Sequence, residues 1–113
     1  MDIENSKAQM RKGVLEMCIL STLKEAELYP TEILERLKAA KLLVVEGTLY
    51  PLLTRLKNEG LLTYRWAESP SGPPRKYYKL TPAGETFLQE LIYGWYELHD
   101  AVERIIKRNN TNT

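Results

Sequence analysis

Six cationic side chains, Arg55, Lys57, Arg65, Arg75, Lys76 and Lys79, fall between Thr48 and Gly84, against only Glu59 and Glu68. The formal charge of the whole chain is +1, so this is a local concentration on a nearly neutral protein. Cations gathered on one face bind phosphate groups locally, whereas a uniformly basic chain would hold every polyanion. The segment from Thr81 onward has the opposite bias, with Glu85, Glu90, Glu97, Asp100 and Glu103 facing Arg104, Lys107 and Arg108. Covalent chemistry has little to work with. The single His99 and single Cys18 make a nucleophile–base pair only if they meet in space. No CxxC or HExxH spacing and no glycine-rich phosphate loop after a strand occurs, so no catalytic residue, metal site or cofactor is expected.

The elements that must position those cations can be read from period and punctuation. A first helix is expected from about Lys7 to Glu25, after a frayed 1–6, with Gly13 a weak point near its start. Its apolar residues (Met10, Val14, Leu15, Met17, Cys18, Ile19 and Leu20–Leu23) lie on more than one side, so it should be buried on more than one side. Pro30 opens a second helix with Ile33, Leu34 and Leu37 inward, and Lys41–Val45 is a connector partly tucked into the core. The third helix is expected to start at Thr48 as N-cap, which keeps Pro51 in the first turn. Deeper in the helix a proline would cost about 3 kcal/mol. Leu49, Leu52, Leu53 and Leu56 then face the core, and Gly60 is the left-handed stop. Leu61–Trp66 and Arg75–Leu80 read as two strands joined by the turn segment Ser69–Pro74, with Tyr77 and Tyr78 on opposite faces. A helix followed by a basic hairpin has the layout of a winged helix-turn-helix, in which the helix enters a DNA groove and the hairpin rides on the backbone.

Thr81 and Pro82 open the last helix. In it Leu88, Leu91, Trp95, Leu98, Val102 and Ile105 recur at intervals of 3, 4, 3, 4 and 3, widened by Ile92, His99 and Ile106. A seam of this length outruns a small winged core and calls for another helix, most economically from a second copy of the chain. The fold class expected is therefore mainly α with a small β-hairpin. It divides into a winged helix-turn-helix region over 1–80, with the first helix also in the dimer interface, a dimerisation helix over 81–108 and a disordered tail over 109–113. The acidic, polar N-terminus is not a secretory signal, no apolar run approaches a membrane span, and a lone cysteine suits a reducing cytoplasm.

Two strings carry a family resemblance. Gly47-Thr48-Leu49-Tyr50-Pro51-Leu52-Leu53, with Arg55-Leu56 and Glu59-Gly60-Leu61-Leu62, is similar to the recognition-helix signature of PadR-like transcriptional regulators. Arg75-Lys76-Tyr77-Tyr78-Lys79-Leu80-Thr81-Pro82-Ala83-Gly84 resembles its second half, at the right spacing. With Val14–Leu37 included the resemblance covers about two thirds of the chain, and the single C-terminal helix resembles the short subgroup. Pro73 departs from the pattern, since relatives often carry arginine there, which would remove one phosphate contact from the wing.

The resemblance implies a homodimer that binds a pseudo-palindromic double-stranded operator and represses transcription. Its motif, carried over by position, puts Thr48, Tyr50, Pro51 and Thr54 at the DNA surface, with Arg55, Lys57, Arg75 and Lys76 on phosphates. Tyr50 has an equal reading as a core-edge aromatic, and Arg55 and Lys57 as solvated helix charges. About three phosphate contacts per subunit would give a salt slope of order −5 for the dimer. In multidrug-responsive members of the subgroup a tryptophan at the place of Trp95 stacks on flat aromatic ligands in a pore at the dimer interface. Tyr96, Leu15, Met17 and Ile19 would supply further lining, and the plainer reading of Trp95 is packing in the dimer seam. The competing class is a winged-helix protein–protein interaction module that does not bind DNA.

Overall fold

The computed structural model describes residues 2–111, with side chains through 108. Its elements in order are α1 (Ile3–Lys12), α2 (Leu15–Thr22), α3 (Pro30–Ala39), α4 (Glu46–Asn58), β1 (Leu62–Ser69), β2 (Gly72–Leu80) and α5 (Pro82–Thr111). The first predicted helix is two. Asp2 caps α1 by accepting the N–H groups of Glu4 (3.0 Å) and Asn5 (3.3 Å), so the helix begins at Ile3, inside the stretch expected to fray. It ends where Gly13 and Val14 donate to Met10 and Arg11, a tightened last turn at the residue of lowest helix propensity. No residue of α1 is buried, and Met10 is 76% exposed. The burial expected of one long helix belongs to α2, which buries Leu15, Ile19 and Leu20.

Helix α3 starts at Pro30 as expected, with the Glu32 carboxylate accepting the Tyr29 N–H at 3.1 Å. Both α3 and α4 end in the same hydrogen-bonded cap. After α3, Lys41 takes the left-handed conformation (φ 66°) and Leu42 N–H reaches the Leu37 carbonyl at 2.9 Å. After α4, Gly60 (φ 79°) plays that part and Leu61 N–H reaches Leu56 at 3.0 Å. Leu42 and Val44 of the connector pack on the core, while Leu43 and Val45 are exposed.

The start of α4 corrects the sequence reading. The Val45 carbonyl accepts from both Thr48 and Leu49 at 3.0 Å, so the first turn forms upstream of Thr48, and Pro51 lies inside the helix. The carbonyl that Pro51 leaves without its usual donor is that of Gly47, four residues back. Both residues are exposed. The buried stripe Leu49, Leu53, Leu56 holds the helix in place regardless.

Strands β1 and β2 pair antiparallel in the register Leu62–Leu80, Tyr64–Tyr78, Trp66–Lys76 and Ala67–Arg75, with an irregularity before Ser69–Gly72. The turn is therefore tighter than the proline count suggested. Gly72 (φ 140°) begins β2, and Pro73 and Pro74 lie within the strand. A two-stranded ribbon has an unpaired edge on each side, where a residue without an N–H is tolerated. Farther along β2, Leu28 closes two backbone hydrogen bonds with Tyr78, at 2.8 and 3.1 Å, and ties the ribbon to the segment before α3.

The core is a cluster around Ile19, Leu20, Ile33, Leu49, Leu53, Leu56 and Leu88, to which Tyr78 adds its ring from the ribbon. Leu88, expected in the dimer seam, belongs to this core, because the first two turns of α5 lie against the body. Beyond Trp95 the helix leaves the body, and the molecule is 60 Å in its longest dimension. Of the tail expected over 109–113, residues 109–111 continue the helical backbone and 112–113 lie outside the described residues. No helix among the described residues is long and apolar enough to cross a membrane.

Candidate nucleic-acid interface

Burial of Leu49, Leu53 and Leu56 turns the opposite face of α4 outward, so Thr48, Tyr50, Pro51 and Thr54 are all exposed. The ribbon stands beside that face. Between them lies a groove of about 400 Å³, whose walls include Tyr29 and Thr31 near the start of α3, Tyr50 and Thr54 of α4, and Trp66, Arg75 and Lys76 of the ribbon. Six residues that sequence reasoning nominated from two separate motifs thus divide in an orderly way. Thr48 and Pro51 stand near the start of the helix face, and Tyr50, Thr54, Arg75 and Lys76 share the groove.

The cations differ in how free they are. The Arg55 guanidinium pairs with the Glu16 carboxylate of α2 and lies 3.6 Å from Glu59, so a phosphate would have to compete for it. Arg65 is held by Glu27 at 2.8 Å. Lys57, Arg75 and Lys76 have no carboxylate partner among the described residues and lie over aromatic rings. Lys57 Nζ is 5.7 Å from the Tyr64 centroid, the Arg75 guanidinium carbon 4.2 Å from that of Tyr29, and Lys76 Nζ 4.6 Å from Tyr64 and 5.2 Å from Trp66. Tyr29 and Trp66 were missed as site residues. Strand alternation could have flagged Trp66, since it shares a face with Tyr64; the placement of Tyr29 depends on the non-local Leu28–Tyr78 pairing. Tyr78, at the base of the groove, has its hydroxyl pKa raised by burial first and then by its neighbours Tyr64 and Tyr50.

A second, more apolar groove of about 450 Å³ opens where α5 leaves the body. Met17, Cys18, Leu42, Ile92, Trp95 and Tyr96 line it, and Trp95 leans on His99 at 5.8 Å between ring centres. Leu15 and Ile19, nominated as lining, point instead into the protomer core: the sequence shows that α2 has two apolar faces but not which of them faces α5. Burial raises the Cys18 thiol pKa, which disfavours the thiolate. His99 accompanies Asp100 at 3.3 Å, and no group of three His, Cys, Asp or Glu side chains among the described residues is placed to hold a metal ion. Farther along α5, Leu98, Val102, Ile105 and Ile106 are exposed in the protomer.

This arrangement recurs in known proteins. The chain is 59% identical to a PadR-like transcription factor from Bacteroides fragilis of known structure, over 89% of this chain and 98% of that one, with a TM-score of 0.75. A PadR family transcriptional regulator from Eggerthella lenta is 34% identical over 92% and 91% of the two chains, with a TM-score of 0.84. Bacillus subtilis PadR, solved in complex with operator DNA, is 28% identical over 70% of this chain and 46% of its own, with a TM-score of 0.65. Residues 19–90, spanning the core, the exposed α4 face, the ribbon and the start of α5, match the transcriptional regulator PadR-like family. With a winged helix-turn-helix, a long C-terminal helix and that match over most of its length, the chain belongs to the PadR-like family of transcriptional regulators.

Proposed function

We propose that this regulator is a homodimeric repressor of the cytoplasm that binds a pseudo-palindromic operator. In this reading α4 enters the major groove and the β1–β2 wing lies on the adjacent backbone. The observation that carries it is the shared groove, which places the exposed side chains of α4 and two carboxylate-free wing cations on one surface. Tyr50 and Thr54 would face base edges, while Lys57, Arg75 and Lys76 would meet phosphates. Pairing along α5 would set the two α4 helices about 34 Å apart, one turn of DNA. The operator complex of Bacillus subtilis PadR supports this use of the fold. A flat aromatic ligand in the groove beside Trp95 and Tyr96 would shift the protomers' relative placement if it binds one arrangement more tightly than the other. No cofactor and no catalytic step enter.

The test is fluorescence anisotropy with DNA from upstream of the protein's own gene and an unrelated duplex, each over a range of salt concentrations. Wild type should prefer the upstream fragment, with a salt slope of about −5 for three cations per subunit. The double variant R75A/K76A removes four charges per dimer, so the slope should become shallower by about 3.6 and the affinity should fall 100-fold or more. Wild type that binds neither duplex at low salt would favour the alternative, a winged-helix module that binds protein and not DNA, and an unchanged slope in R75A/K76A would take these two cations off the phosphates.

Arg55 gives a prediction of opposite sign. Glu16→Gln removes its main competitor for phosphate, and exposed ion pairs of this kind are worth about 0.2–1 kcal/mol. With one such pair in each subunit of the dimer, DNA affinity should rise by about 2- to 30-fold, with a steeper salt slope. Unchanged or weaker binding would mean that Arg55 serves only to hold α4 on α2.

A further inference from the structure

We propose that Trp66 is a positioning residue of the DNA interface, acting through Lys76; the inference rests on the DNA-binding reading above. Trp66 is 60% exposed and outside the buried core. Its neighbours are Tyr64, edge-on at 6.1 Å and 89°, and Lys76, its partner across the ribbon. The two perpendicular rings form a corner, with the Lys76 ammonium 4.6 Å from one centroid and 5.2 Å from the other. A lysine on a free ribbon samples many rotamers and loses them when it meets a phosphate. Here the ring faces, negative at their centres, hold the charge in place before DNA arrives, without neutralising it as a carboxylate would. The neighbouring cation is seated in a similar way: Arg75 lies over Tyr29 at 4.2 Å and donates to the Ser71 hydroxyl at 3.2 Å. The wing therefore presents two ordered cations on the rim of the groove that also contains Tyr50 and Thr54.

This role differs from that of a phosphate ligand in a measurable way. Removing Lys76 removes charge and so changes the number of counterions released. Removing Trp66 leaves every charge in place and only frees Lys76 to move. Binding of a fluorescein-labelled duplex carrying the DNA upstream of the gene should be measured for full-length wild type, W66A, W66F, K76A and W66A/K76A at several salt concentrations.

W66A should bind about 5- to 10-fold more weakly with the wild-type salt slope, and W66F should stay within about 2-fold of wild type. K76A should lose about 2 from the magnitude of the slope, and adding W66A to it should cost almost nothing more. Full multiplication of the two losses in W66A/K76A would overturn the proposal, because Trp66 would then act on the DNA or the fold independently of Lys76. W66F as weak as W66A would also overturn it, as would a shallower slope in W66A. A wild type that binds neither this duplex nor an unrelated one at low salt removes the DNA reading itself, and this inference with it.

Discussion

Gly84→Ala should destabilise the protein by about 3 kcal/mol or more and lower its melting temperature by roughly 10–20 °C, as read by circular dichroism. Gly84 lies in the first turn of α5, where the helix is laid directly on the chain leaving α4. A methyl group built there falls on the Leu61 carbonyl oxygen and within 3.0 Å of the Leu61 carbonyl carbon. Neither atom can turn aside as a side chain would. The Leu61 carbonyl also accepts the Thr81 N–H at 3.1 Å, and Leu61 N–H closes the cap of α4. The methyl group therefore displaces either the start of α5 or the end of α4. The usual gain in helix propensity from glycine to alanine, about 1 kcal/mol, is too small to offset this. A variant melting within 2 °C of wild type would mean that α5 does not seat at Leu61.

The second large effect concerns the outer half of α5. Leu98 is 59% exposed and Ile105 63% exposed in the protomer, two turns apart on one stripe. If that stripe is the seam between two copies, covering each side chain contributes about 1.5–3 kcal/mol, and four such side chains meet in a dimer. L98D/I105D should therefore raise the dimer dissociation constant by more than 10⁴-fold while leaving the protomer folded, since neither residue is in its core. Light scattering behind size exclusion should show wild type near twice 13.1 kDa and the variant near 13.1 kDa. Operator affinity should collapse with it, because two half-sites are then bound without linkage. A variant that remains dimeric at 1 µM would move the interface elsewhere.

What was legible in the sequence was local. Pro30, Gly60 and the Thr81-Pro82 pair announce helix ends because caps are made within a few residues, and the 3–4 spacing of α5 announces its stripe. What was not legible needed either a partner far along the chain or a choice between two acceptable options. Pro51 suggested a helix start three residues downstream of the cap because the cost of an internal proline was set against nothing. The buried Leu49–Leu53–Leu56 stripe outweighs it, at an exposed position of the helix. Leu15 and Ile19 were apolar on a helix apolar on two sides, and the face that meets α3 and α4 could not be told from the face that meets α5. Arg55 looks like a free cation in the sequence because Glu16 lies on another helix, and nothing near Tyr29 in the sequence shows that it meets Arg75.

The seating of α5 also has a mechanical consequence. The Thr81 hydroxyl accepts the Gly84 N–H at 3.0 Å and donates to the Gly60 carbonyl at 2.7 Å, so the end of α4, the start of β1 and the start of α5 share one stiff joint. From that joint α5 extends 30 residues, about 45 Å, and α4 extends 13 residues, about 20 Å. If those hydrogen bonds hold, the two helices would move as unequal arms of one lever. A tilt of roughly 5° imposed on the long arm carries the far end of the short arm by about 1.7 Å, on the scale of the tolerance of a hydrogen bond. In the proposed dimer two such levers would oppose each other across the two-fold axis, and a modest torque between the long arms would suffice to take the short arms out of step with the DNA.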